Sequence, residues 1–401
     1  MDLDLKEMSE REPGSVEAPK KMALRQRINA FFANPKKRLI FIIILGLILI
    51  GLVGTGLYFM TRNNAAKKAA EKNTPPKPTL YQAPLDGVMT DIDSSKRHPL
   101  AIMVENHTDA RPQAGINKAS IVYEAIAEGG ITRYMALYGT QESDQVGPVR
   151  SARTYYIDWL RGYNAYYAHV GGNIDALDKI QADKVLDLDQ FAFPAPYWRD
   201  TSLRVASEHT MFVSTSKLRA IAAEKNYTTA NNFTVYKFKD DPSADSTEGK
   251  ALPEAQKISI DFGNANYNVV FDFDKKTDSY NRSVGGKADL DRLTSEQITA
   301  KIIVVMTVKR QATVTRINEQ GWNMDTAGEG AAKIYIDGKE ISGKWKKNSA
   351  TDREIFYDET GKEITFNRGK LWICVIPPEA TVTSQITPSA TPVTTTPTTN
   401  K

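Results

Sequence analysis

Two arginines flank a serine in the run Gly147-Pro148-Val149-Arg150-Ser151-Ala152-Arg153. The apolar residues 134–138 before it read as a strand, and the amphipathic segment 154–163 after it reads as a helix. A junction of this kind aims backbone N–H groups and the positive end of a helix dipole at one spot. Two guanidinium forks add donors shaped for phosphate or carboxylate. Spaced three apart on a starting helical turn, Arg150 and Arg153 are expected to share a face, with Ser151 between them. The chemistry expected is capture of an anion. The structural alternative is a pair of arginines bridging to Glu124 or Glu128.

A second strand-to-helix junction follows at His169-Val170-Gly171-Gly172-Asn173. Ligands of open α/β sheets collect outside the carboxyl ends of strands, so side-by-side strands would open both junctions onto one crevice. Arg133 follows Glu128-Gly129-Gly130, where paired glycines let backbone approach a ligand. Arg199 and His209 lie in a long irregular stretch, residues 191–210, that reads as a lid. Only four histidines occur, which makes His169 and His209 the natural proton carriers. The candidate ligand-binding set is therefore Arg133, Arg150, Ser151, Arg153, His169, Gly171, Gly172, Arg199 and His209.

Other chemistries leave no mark. Gly-x-Ser-x-Gly, a phosphate-binding Walker loop and His-Glu-x-x-His are all missing, so neither a catalytic nucleophile nor a cofactor is named. No metal site is expected: Asp272, Asp274, Asp289 and Asp291 lack an EF-hand pattern and read as solvated loop charges. Cys374 is the single cysteine, so an intrachain disulfide is excluded. Net charge is +4, and residues outside the first 38 are nearly balanced, which argues against a nucleic-acid partner. The aromatic run Tyr155, Tyr156, Trp159, Tyr163, Tyr166 and Tyr167 reads as core rather than as a stacking surface.

These residues need a scaffold and a location. Residues 39–60 carry no charge and suffice to cross a bilayer as a helix, with Lys36-Lys37-Arg38 at the inner end. The expected organisation is a cytoplasmic tail (1–38), a transmembrane signal anchor (39–60), a spacer (61–85) and two extracytoplasmic domains. A Thr/Pro-rich tail (379–401) is expected to be disordered. The first domain, 86–228, alternates strands with helices and reads as α/β. The second, 229–378, reads as mostly antiparallel β, with an Asp337-Gly338 hairpin as its clearest turn. The fold class is α+β.

Several motifs in fixed order carry a family resemblance: Pro99 to Asn106, Arg111-Pro112-Gln113-Ala114-Gly115, Ile121-Val122-Tyr123-Glu124, Glu128-Gly129-Gly130-Ile131-Thr132-Arg133, the Gly147–Arg153 run, and His169-Val170-Gly171-Gly172. Together they resemble the YerB-like family of bacterial surface proteins, over about residues 84–377. Many of those proteins look like lipoproteins held by a lipidated cysteine. Here no cysteine precedes Cys374, and the apolar helix stands in its place. The resemblance implies an extracytoplasmic bacterial protein without a settled activity. At the level of fold, Pro148-Val149-Arg150 with Arg153 also looks like the LytR-CpsA-Psr envelope transferases. Those proteins bind a polyprenyl pyrophosphate through arginines. Two readings follow. An anchored binding or scaffold protein would hold an anionic envelope ligand or dock a protein partner. A transferase would set its arginines beside an available carboxylate among Glu105, Glu124 and Glu128.

Overall fold

The computed structural model describes residues 28–29, 31–72 and 79–389. Residues 1–27 and 30 of the expected tail, 73–78 of the spacer and 390–401 of the terminal tail lie outside the described residues. Residues up to Lys77 and residues from Pro78 onward are separate structural units. In the first, helix α1 runs Pro35–Lys72. Among the described residues it is the one helix long and apolar enough to cross a bilayer. It also takes in residues 61–72, expected as spacer. Ala65, Ala66, Ala69, Ala70 and their Lys and Glu neighbours are good helix formers, and after Pro35 at the helix start no proline occurs until Pro75.

In the second unit ten strands form one mixed sheet. In chain order they are Leu100–Glu105 (β1), Ile121–Ile126 (β2), Thr132–Tyr138 (β3), Tyr166–Ala168 (β4), Leu186–Asp187 (β5), Ile302–Thr307 (β6), Gly328–Ile336 (β7), Lys339–Lys347 (β8), Ile355–Asp358 (β9) and Leu371–Ile376 (β10). Their order across the sheet is β9-β8-β7-β6-β10-β2-β3-β1-β4-β5. The expected boundary between two domains therefore does not divide the structure. Strand β10 lies between β6 and β2 and runs parallel to both. Its sequence, Leu-Trp-Ile-Cys-Val-Ile, is apolar on both faces and needs cover on both, which only the middle of a sheet provides.

The faces of this sheet are covered differently. Along β2 and β10, Val122 and Trp372 face one core while Tyr123 and Ile373 face the other, following the two-residue period of a strand. On the first face lies an antiparallel sheet built from Ala255–Ile260, Val269–Asp274 and Ser279–Val284, which contributes Ile258, Phe271 and Tyr280. Onto the second face packs helix α2, Thr154–Arg161, through Tyr155, Tyr156 and Trp159. The aromatic run is core, as its helical spacing implied. Helices α3 (Ile174–Ala182) and α4 (Thr215–Glu224) complete the layers.

One further expectation changes. Residues 382–387, assigned to a disordered tail, form a strand antiparallel to Ala255–Ile260. Backbone hydrogen bonds at a sheet edge need no large apolar side chains, and threonine and valine favour extended backbone. The Asp337-Gly338 hairpin is present, with positive φ at both turn residues. A second hairpin turns at Thr360-Gly361, closed by the Tyr357↔Glu363 bridge and by the Ile364 N–H donating to the Phe356 carbonyl at 2.9 Å, and Thr365–Asn367 goes on to pair in parallel with Lys237–Lys239.

Candidate functional site

The run Gly147–Arg153 is extended rather than helical. Helix α2 begins at Thr154, and Arg153 is its extended N-cap residue, with φ −139°. Val149 bridges Val104, and the Arg150 N–H donates to the Met103 carbonyl at 3.0 Å. Gly147 has φ +146°, and a Cβ there would lie 2.7 Å from the Met211 carbonyl oxygen. Only glycine fits both the angle and the approach. Arg150 and Arg153 therefore do not share a helical face, and each finds its own carboxylate.

Arg153 and Arg133 both reach Glu128. Arg133 Nη2 lies 3.1 Å from Glu128 Oε2, Arg153 Nε bonds Oε1, and Arg133 Nη1 donates to the Ser151 carbonyl at 2.9 Å. Partial burial works to raise the Glu128 pKa, but Arg133, Arg153 and the more distant Arg150 hold it below the usual carboxylate range. Arg153 is itself pushed down by burial and by the neighbouring positive charge of Arg133. The Glu128 side chain is 37% exposed and edges a groove of about 460 Å³. The opposite wall comes from the hairpin Arg310–Val314/Gln320–Met324, including Thr313, Gln320 and Trp322. Arg310 stacks on Trp322, 4.1 Å from the ring centre.

Arg150 turns the other way. Its Nε lies 3.1 Å from Glu105 Oε1, and His209 Nδ1 bonds Glu105 Oε2 at 2.8 Å. Glu105 ends β1, and its N–H is held by the Pro148 carbonyl at 2.9 Å. The His209 ring stacks on His107, with centroids 4.7 Å apart and planes 6° from parallel.

The remaining candidates do not join this group through their side chains. His169 is fully buried, with Nε2 2.9 Å from Asp187 and Nδ1 2.8 Å from the Gly171 carbonyl. It closes the start of the α3 junction instead of opening on a crevice. Gly171 and Gly172 act through backbone, accepting the Ala152 N–H and bridging Ala152. Asn173 caps α3. Arg199 donates to the Ser207 carbonyl within its own loop and forms no ion pair among the described residues.

Sequence reasoning missed a third cluster. Glu124, weighed as a partner for Arg150 and Arg153, is fully buried and taken by Arg282, 2.9 Å away. It also accepts from Thr132 (2.9 Å) and Trp372 Nε1 (3.0 Å). Arg282 further bonds Asp289 and lies 4.5 Å from the Trp372 ring centre. Asp291 accepts the N–H groups of Gly115 and Asn117. Asp289 and Asp291 are thus buried structural anchors, not solvated loop charges. Burial raises the Asp289 carboxyl despite Arg282. Glu124 and Arg282 stand 158 residues apart, so no local pattern links them.

A mixed sheet shared by both halves, with an arginine–carboxylate cluster at a groove between them, defines an α+β protein whose two sequence segments fold together. Two domains of one family match it: the N-terminal domain of a protein of unknown function (DUF3048) over residues 85–228, and the C-terminal domain of the same family over 258–373. The chain is 29% identical over 300 residues to a Bacillus subtilis (strain 168) protein named "Putative lipoprotein YerB", covering 74% of this chain and 86% of that one. It is also similar to the crystal structure of the YerB protein from Bacillus subtilis, with a TM-score of 0.65 and 27% identity over 76% of this chain and 99% of that chain. The chain belongs to the YerB-like family, and the apolar α1 together with a relative named as a lipoprotein marks it as membrane-associated.

Proposed function

We propose that this is a membrane-anchored binding protein of the bacterial envelope that holds an anionic group at the Arg133–Arg153–Glu128 cluster. In this reading α1 crosses the bilayer once, the N-terminus is cytoplasmic and the unit from Pro78 onward lies outside. One observation carries the proposal: Arg133 and Arg153, both largely buried, share the partly exposed Glu128 carboxylate at the edge of a groove, which leaves one positive charge in excess behind that carboxylate. A phosphate or carboxylate that displaces Glu128 meets two guanidiniums already held in place, at a small cost in ordering. Trp322 gives the groove an apolar wall against which a sugar or lipid portion could pack.

The transferase reading requires a carboxylate beside the arginines that is open to a metal or a proton. Glu105 and Glu128 are ion-paired and Glu124 is sealed under Arg282, which favours holding a ligand over transferring it. The test is thermal stability of the full chain in detergent, with and without pyrophosphate. At about 100 times its dissociation constant a native-state ligand stabilises by about 2.7 kcal/mol. Wild type is expected to shift and Arg133→Ala/Arg153→Ala to stay unmoved. A double variant that shifts as wild type does would sink the proposal.

A further inference from the structure

We infer that His107, Asp109 and His209 form a binding site for a divalent transition-metal ion of the Zn²⁺ class. One nitrogen or oxygen from each of the three lies within 4.8 Å of the others. His107 Nδ1 stands 3.8 Å from Asp109 Oδ2. Ligands about 2.0–2.1 Å from a tetrahedral ion are about 3.4 Å apart, so a small rotation of side chains completes the set. Asp109 is exposed and free to make that rotation. Two imidazoles and one carboxylate suit Zn²⁺ and its neighbours better than Mg²⁺ or Ca²⁺, which prefer all-oxygen shells.

The hydrogen bonds around the two rings bear on the same assignment. His107 Nδ1 accepts the Asp109 N–H at 3.2 Å, a bond that an ion bound at this nitrogen replaces. His209 Nδ1 is held by Glu105 at 2.8 Å, which directs the proton there and leaves Nε2 as the ligand atom. A carboxylate behind a ligating histidine fixes the ring and raises its basicity, the usual support of a metal-bound imidazole. Glu105 has that place; the two rings lie parallel, so the more exposed His107 turns out of the stack to bring its lone pair onto the ion. The negative charges of Asp109 and Glu105 offset a dication, while Arg150, on the other oxygen of Glu105, keeps that carboxylate aligned. Three protein ligands leave a fourth position open. Sequence gave no sign of the site, because His107 and His209 lie far apart in the chain and meet only when the 207–209 turn folds over the end of β1.

The site is independent of the groove at Glu128, and its test does not depend on any anion. The full chain in detergent, stripped with chelator, is titrated with Co²⁺ and Zn²⁺. Co²⁺ should give the intense visible ligand-field bands of a low-symmetry four-coordinate ion at one equivalent, and Zn²⁺ should erase them. His107→Ala, at a partly exposed position, should abolish the spectrum while leaving the folded far-ultraviolet signature intact. Glu105→Gln should weaken metal affinity about 10–100-fold without removing the bands. Failure of wild type to take up one equivalent overturns the inference, and so does a His107→Ala spectrum matching wild type.

Discussion

Two arginine–carboxylate clusters occupy neighbouring parts of this sheet and differ in every respect but chemistry. Glu124 of β2 and Arg282 are fully buried, ringed by Trp372, Tyr134 and Thr132, with Asp289 as a second acid on the same guanidinium. Glu128, just beyond the end of the same strand, holds Arg133 and Arg153 at the lip of a groove and keeps over a third of its side chain in solvent. In the first cluster two acids share one base inside the core, so the charges join one sheet to the other. In the second, two bases share one acid at the surface. The comparison shows why arginine content alone could not tell the two apart: the same residue types build a buried seam in one place and a partly exposed cluster at a groove in the other, according to how many carboxylates the tertiary fold supplies.

The largest expected effect tests the seam. Arg282→Met leaves two carboxylates buried without their partner and should cost about 3–5 kcal/mol in chemical denaturation. Replacing Glu124 and Asp289 by leucine as well should recover part of that loss, since a buried ion cluster can be exchanged for apolar packing. A loss below about 1 kcal/mol for Arg282→Met would erase the distinction between the clusters.

Asp278 sharpens the comparison with a buried carboxylate that lacks an arginine. Burial, with the nearby Asp337 charge second, pushes its pKa up to about 7. Asn367 Nδ2 donates to both carboxylates. The folded value lies above the ordinary one, so the folded state binds more protons and stability falls as pH rises from about 4 to 7. Asp278→Asn should flatten that fall, adding on the order of 1–2 kcal/mol at pH 7 and little at pH 4. Denaturation curves at the two pH values decide it, and an unchanged slope would point to another group.

Smaller effects belong to the groove. Arg153→Ala should cost about 1 kcal/mol or less, and the loss should shrink in high salt because Glu128 is partly solvated. A salt-independent loss of several kcal/mol would make this cluster a second seam. Glu128→Gln leaves two largely buried guanidiniums without their shared carboxylate and should cost at least as much as Arg153→Ala, yet tighten pyrophosphate binding by releasing both of them. Equal or weaker affinity, measured by calorimetry, would mean that Glu128 itself contacts the ligand.

Much of the molecule was legible from its residues. The apolar α1 stretch, strands β1, β2, β3 and β10, the amphipathic α2, and the Asp337-Gly338 turn follow from hydrophobic period, length and turn chemistry, which are local. Arg133, Arg150 and Arg153 were marked as ionic by type and position, and all three do meet carboxylates. Only the tertiary structure decided the partners. The insertion of β10 between β2 and β6, the capture of Glu124 by Arg282, the meeting of His107 with His209, and the burial of His169 on Asp187 each join residues well apart in the chain. A pairing of that kind is set by which faces two sheets present to each other, and periodicity along one strand carries no information about the opposite face. The sequence by itself therefore determined the elements and the charged side chains; the packing of one sheet on another determined which of those charges are sealed inside and which remain at the surface.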